Sequence, residues 1–247
     1  MSILILRLTG PLQSWGTQSR FTVRDTGREP SKSGMIGILC AALGMDRTAT
    51  ELTYAGRTIT FGELTSLKMG VRINKAGQLL RDFHTAGGGT LSGKRNGPSY
   101  GVVKASGKPG DTVLSNRFYL ADADFLVGLM GADDLMELLR EAVKAPHWPL
   151  FLGRKSCPPG EPLLPEINPI VPGNSLDELM AVLTTPPKGI QLRACNLEEC
   201  RIVIDVDDAG AATGTRIDVP RFNFAARKFR PRNIASRMIV PSISAQE

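Results

Sequence analysis

The first stretch of the chain is its most apolar. Ser2 to Leu8 (SILILRL) is hydrophobic at nearly every position, which predicts a strand covered on both faces and central in its sheet. Gly10-Pro11 ends it. A polar loop runs to Ser33, followed by GMIGILCAAL, apolar all round. This pattern predicts a buried helix over Gly34 to Leu43, with Ser33 as its N-cap and Gly44 as its C′ residue. Gly34 and Gly37 lie one turn apart, a spacing that lets another element approach the helix backbone closely.

Leu67 to Ile73 and Gln78 to His84 read as two strands of a hairpin joined by Asn74-Lys75-Ala76-Gly77. Gly87 to Gly110 holds eight glycines in twenty-four residues and few apolar anchors, too little to order itself alone. Strands are expected over Arg117 to Ala121 and Asp124 to Leu129. Asp133 to Lys144 then carries Leu135, Leu138, Leu139 and Val143 on one face of an amphipathic helix that Pro146 stops. Leu150 to Leu152 is expected as a further strand. This alternation predicts an α+β fold: a ferredoxin-like palm of the RNA-recognition type over residues 1–162, with a long glycine-rich thumb inserted at 85–115. Prolines recur after Pro158-Pro159, and Arg201 to Val206 is the one clear later strand, so residues 163–247 read as an irregular, β-containing C-terminal appendage.

Charge adds a direction. The 247 residues carry 30 Lys+Arg against 24 Asp+Glu, a net charge of +6, and the cations are unevenly spread. No acid lies between Asp82 and Asp111, or from Val219 to Arg237, whereas Ala121 to Glu141 holds six acids. One basic and one acidic side are expected, and a basic face suits a polyanion; a solvated surface of uneven charge gives the same counts. Four cysteines with no Cys-x-x-Cys pair and only two histidines predict free thiols and no metal centre. No cofactor is expected. The start of the chain lacks the length and charge of a signal peptide, and no apolar run reaches the ~20 residues that cross a bilayer. A cytoplasmic protein is expected, with no membrane partner.

Two segments bear on chemistry. GREPSKS (Gly27 to Ser33) precedes a helix, and IVIDVDD (Ile202 to Asp208) could supply an acidic strand. A phosphate loop needs G-x-x-x-x-G-K-[ST], yet here Gly27 stands too close to Lys32 and Pro30 removes a donor. The unpaired N–H groups at the helix start, with Ser31, Lys32 and Ser33, would still suit a nucleic-acid phosphate; a simple capped helix start is the alternative. His84 and His147 could serve acid–base cleavage of RNA or merely satisfy local hydrogen bonds. Trp15 and Tyr100 could stack on bases, or Trp15 could plug the edge of the core.

LRLTGPLQSWG (Leu6 to Gly16), PSKSGMIGILCAALG (Pro30 to Gly44), RDFHTAGG (Arg81 to Gly88) and FLGRKSCPP (Phe151 to Pro159), with a weaker VPRFNFAARKF (Val219 to Phe229), together resemble the CasD subunits of type I-E CRISPR Cascade complexes, in the Cas-five family of the RAMP superfamily. The resemblance implies a non-catalytic RNA-binding subunit that holds the 5′ handle of the guide RNA (crRNA). It implies neighbours too: CasC backbone subunits, the large CasA subunit, and target DNA through the assembled complex. Endoribonuclease activity on precursor RNA, or an assembly role with mainly protein or DNA contacts, are the other readings. The RNA-binding residues expected are Trp15, Arg20, Arg24, Ser31, Lys32 and Ser33 around the first helix, His84 at the thumb base, Lys94 and Arg95 within the thumb, Arg154 and Lys155 after LFL, and Arg221 and Arg227 in the C-terminal basic run.

Overall fold

The computed structural model describes residues 1–16, 19, 22–87, 112–166, 169–187, 200–226 and 228–239. In chain order these form β1 (Ser2–Thr9), β2 (Leu12–Gln13), β3 (Val23–Arg24), α1 (Lys32–Leu43), β4 (Glu51–Tyr54), β5 (Arg57–Thr60), α2 (Phe61–Ser66), β6 (Lys68–Lys75), β7 (Gln78–Ala86), β8 (Val113–Ala121), β9 (Asp124–Gly131), α3 (Asp133–Lys144), β10 (Ile170–Pro172), α4 (Leu176–Thr184), β11 (Cys200–Asp205), β12 (Gly214–Pro220) and β13 (Phe229–Ile239).

Seven strands build one antiparallel sheet in the order β10-β1-β9-β6-β11-β13-β12. Its first four members, taken with α1 between β1 and β6 and α3 between β9 and β10, follow the βαββαβ path with the 4-1-3-2 strand order of a ferredoxin-like fold. β1 is an inner strand, one place in from the edge strand β10, and is buried along nearly its whole length, as its nearly continuous apolar run predicts. The helices α1, α2 and α3 share one core with Leu4, Leu6, Val71, Phe125 and Val127. On the opposite face, Leu179 and Leu183 of α4 cover Ile3, Ile5, Leu126, Ile202 and Ile204. Both faces of the sheet are thus occupied, and no open platform remains at its centre.

Three sequence expectations change. The strands expected at 67–73 and 78–84 form but make no hairpin: β6 is flanked by β9 and β11, so both its edges are taken, and β7 pairs instead with β8. Leu150 to Leu152 is a turn, because the edge of β1 is filled by residues 163–172, and the Leu152 backbone bonds Ser14 and Cys157 instead, at 3.0 and 2.7 Å. Where the sequence shows one clear strand after residue 163, there are four. β10 closes the palm, and β11, β13 and β12 extend the palm sheet beyond β6. The expected boundary at 162/163 therefore divides residues that share one sheet.

The first helix starts earlier than its apolar pattern suggests. Ser31, not Ser33, is the N-cap, its hydroxyl accepting from the Gly34 N–H at 3.2 Å, and Lys32 is the first helical residue. A polar residue can occupy the first turn of a buried helix when a partner waits for it, as one does here. Gly44 ends α1 in the left-handed conformation (φ 81°). Gly34 is needed for packing: a Cβ there would lie 2.7 Å from the Trp15 ring. Trp15 is 1% exposed, and its indole N–H donates to Gln13 at 3.0 Å. It plugs the core edge and offers no free face for stacking on a base.

A candidate nucleic-acid interface

A cleft of about 380 Å³ opens at the N-terminal end of α1. Trp15 and Gly34 lie at its floor; Ser14, Ser31 and Ser33 line it as buried residues whose hydroxyls bond within the protein, Ser14 to Phe118 O at 3.1 Å and Ser31 and Ser33 to each other at 3.3 Å; Ser19 donates to the Asp25 carboxylate at 2.7 Å, and Arg24, Arg47 and Arg154 bring charge. Among the described residues none that lines it carries a carboxylate, and Asp25 stands just beside it, bonded to Ser19. Neither Arg24 nor Arg47 makes an ion pair among the described residues, and both are exposed. Arg154 is held by backbone carbonyls: Nη2 donates to Asp25 O at 2.8 Å and Nη1 to Phe118 O at 3.3 Å, with the guanidinium over the Tyr119 ring at 5.1 Å. An arginine fixed by neutral acceptors keeps its full charge and its orientation, which is what a preformed anion site requires.

The cleft continues onto the β7–β8 ribbon. Cross-strand register puts Tyr119, Arg117 and Ser115 of β8 on one face with Asp82 and His84 of β7, and the parallel pairing of β3 sets Arg24 beside Arg117. Arg117 Nε donates to Ser115 at 3.2 Å, and His84 Nδ1 stands 3.3 Å from Asp82 Oδ2. Arg117 and His84 thus share the ribbon face that leads on from Arg154 and Arg24 with the Asp82 carboxylate and the exposed Leu80 and Val113. The reverse face exposes Val23, Leu79, Phe83 and Leu114, at 47%, 65%, 61% and 47%, with Arg81 bonded to Asn116 among them.

Lys32 does not face the cleft. Its ammonium is buried against Asp205 Oδ2 at 2.9 Å, its backbone N–H donates to Asp218 Oδ2 at 2.9 Å, and Arg232 bridges both carboxylates. Burial pushes the Lys32 ammonium below the usual lysine range despite the pull of Asp205. For Arg232, burial is outweighed by its two carboxylates, which raise it above the usual range. The acidic strand IVIDVDD thus supplies, through Asp205, the internal partner of the loop lysine. Glu29 of the same loop pairs with Arg201 and Arg216, each at 2.8 Å. The anion site expected on Lys32 and the free helix amides is already filled, by aspartates of the chain itself.

Of the residues expected from sequence, Arg24, Ser31, Ser33 and Arg154 converge on the cleft, and His84 lies farther along the same ribbon face. Trp15 contributes only its floor. Lys155 and Arg221 are exposed but do not line it. Arg20, Lys94, Arg95 and Arg227, like Tyr100 and nearly all of the thumb, lie outside the described residues. Arg47 and Arg117 were not singled out: one sits past the end of α1 and the other within a strand, and only the fold brings them to Arg24. His147 donates its backbone N–H to Ala42 O and packs against Gly44 at the far end of α1, edge-on to Trp148 at 5.0 Å. Cys40, Cys157 and Cys200 are buried and unbridged, and burial pushes the Cys40 thiol up to about 12. Among the described residues no three potential metal ligands converge, and no helix is long and apolar enough to cross a membrane.

The fold and this cleft define a class: a ferredoxin-like protein elaborated by a ribbon insertion and a C-terminal strand extension, with a basic cleft at the first helix. Residues 3–235 match the family model of CRISPR-associated protein (Cas_Cas5), and the chain belongs to that family. It is 36% identical over 168 residues, 66% of this chain and 69% of the other, to the CRISPR system Cascade subunit CasD of Escherichia coli K12. Two solved structures align over 97% of the chain: a CRISPR RNA-guided surveillance complex (TM-score 0.72, 30% identity, 91% of that chain), and a Cas protein crystal structure (TM-score 0.64, 31% identity, 95% of that chain).

Proposed function

We propose that this protein is a non-catalytic guide-RNA-binding subunit of a type I-E Cascade complex, holding the 5′ handle of the crRNA and capping the backbone of CasC subunits beside CasA. The observation that carries the reading is the cleft: three arginines that make no ion pair with a described residue, gathered at the start of α1 and continued by Arg117 and His84 toward the thumb. Arginines set against exposed phosphates supply affinity, and fixed hydroxyls set register. Lys94 and Arg95 of the thumb would extend the same track. The reverse face of the ribbon, where four exposed apolar side chains surround Arg81, suits a protein neighbour in the complex.

The test is a complex assembled with guide RNA carrying 4-thiouridine in its 5′ handle. Crosslinks are expected to peptides containing Arg24, Arg47 and Arg154, and Arg24→Ala/Arg47→Ala is expected to weaken guide binding and flatten its salt dependence by about 0.7 in slope per lost contact. Handle crosslinks confined to other subunits would refute the reading. So would cleavage of labelled repeat RNA by this protein alone.

A second expectation follows for the ribbon. Phe83→Ser removes an exposed aromatic from the reverse face without disturbing the core. Assembly with the protein subunits should weaken while the unfolding midpoint stays within the range of ordinary surface substitutions, about 0.5 kcal/mol. Unchanged assembly by size-exclusion chromatography would show that this face has no neighbour.

A further inference from the structure

The C-terminal strands reach the cleft region through the Glu29 ion pairs with Arg201 and Arg216 and through one buried cluster. Asp218 of β12 is 2% exposed and Asp205 of β11 is 4% exposed. Arg232 of β13 grips Asp218 with Nε on Oδ1 at 2.7 Å and Nη2 on Oδ2 at 3.0 Å, and reaches Asp205 with Nη1. Asp218 Oδ2 then accepts the backbone N–H of Lys32, the residue between the two cleft serines. α1 has no acidic residue of its own in its first turn, so Asp218 supplies from another element the negative charge that a helix start favours. The same strands wall the cleft, since Phe229 of β13 lines it and pairs with Pro220 of β12.

We infer that Asp218 and Arg232 are positioning residues for RNA binding: they fix the Ser31–Ser33 turn against the cleft, and so make the C-terminal strands part of the guide site. The inference rests on the RNA-binding reading of the cleft. The geometry separates it from a direct RNA role, because both groups are directed inward and each is matched by a partner of opposite charge. It also separates it from stability alone. The bond to the Lys32 amide sits within the Ser31–Ser33 turn that forms the cleft wall, so losing it frees that turn while Arg24, Arg47 and Arg154 remain in place.

Asp218→Ala and Arg232→Lys are assembled with the partner subunits, and guide affinity is measured over a salt series at a temperature where each variant is folded. Amide exchange at residues 31–34 is followed in parallel. Lysine keeps the charge but cannot grip one carboxylate in two-pronged fashion while reaching a second, so Arg232→Lys decides the matter if Asp218→Ala does not fold. Affinity is expected to fall about tenfold at every salt concentration, as for loss of one hydrogen bond to a charged group. The salt slope should hold and exchange at 31–34 should rise. Wild-type affinity in folded variants with lowered unfolding midpoints would overturn the inference in favour of stability alone. A shallower salt slope would overturn it in favour of direct phosphate contact. If Arg24→Ala/Arg47→Ala also bound guide normally, the failure would lie with the cleft reading.

Discussion

Lys32→Glu should yield little or no folded protein, although lysine-to-glutamate changes in loops are usually tolerated. In the sequence Lys32 looks like an exposed cation ahead of a helix. In the fold it lies 2.9 Å from Asp205 and beside Asp218, both almost fully buried, with Arg232 as the other cation. The wild-type cluster balances two positive against two negative charges. Glutamate would set three carboxylates around one guanidinium, out of reach of water. Removing one partner of a buried pair costs about 3–5 kcal/mol, and reversing its sign adds repulsion. That is comparable to the whole stability of a domain, about 5–15 kcal/mol. Lys32→Met, which keeps the stem and leaves Asp205 bonded to Arg232 and to the Met69 N–H, should be less harmful. Soluble expression and thermal unfolding check both. A Lys32→Glu protein that melts like wild type but binds guide weakly would mean that Lys32 faces RNA, and the buried cluster would be wrong.

The second large effect is expected from Gly153→Ala, one methyl group beside the cleft. Gly153 has φ 92°, and a Cβ there would lie 1.8 Å from the carbonyl oxygen of Ser14. That oxygen belongs to backbone already held by the Ser14–Leu152 hydrogen bond at 3.0 Å, so it cannot swing aside as a side chain would. Positive φ alone strains alanine by about 1–3 kcal/mol, and the clash forces the turn at 152–157 to move as well. Arg154, next in the chain, then leaves its seat between Phe118, Asp25 and Tyr119. Gly153→Ala should therefore lower both the unfolding midpoint and guide affinity, the latter at least as far as Arg154→Ala. Unfolding curves and binding to the assembled complex decide it. A midpoint and affinity equal to wild type would show that the turn accommodates a side chain.

The sequence alone determined the elements whose local pattern leaves one choice. The nearly continuous apolar run of β1 fits only an inner strand, the apolar stretch of α1 from Gly34 had to be buried, and the apolar face of α3 with Pro146 beyond it marked that helix to the residue. These reveal the βαββαβ palm, because each depends on neighbours within a few residues. The tertiary structure alone decided the partners. β7 pairs away from β6 because β9 and β11 occupy both its edges, a competition that no window of sequence contains. The three strands from residue 200 onward, two of them containing proline, take their places by joining the palm sheet beyond β6. The same limit applies to the charges. Sequence counts cations by position along the chain, and so it ranked Lys32 with Arg24 and Arg154. Folding neutralises Lys32 with Asp205, which lies 173 residues away, and brings Arg47 and Arg117 to a cleft that local pattern does not mark. Whether a basic residue meets RNA or its own protein depends on which carboxylates the topology places beside it, and that is a property of contacts distant in sequence.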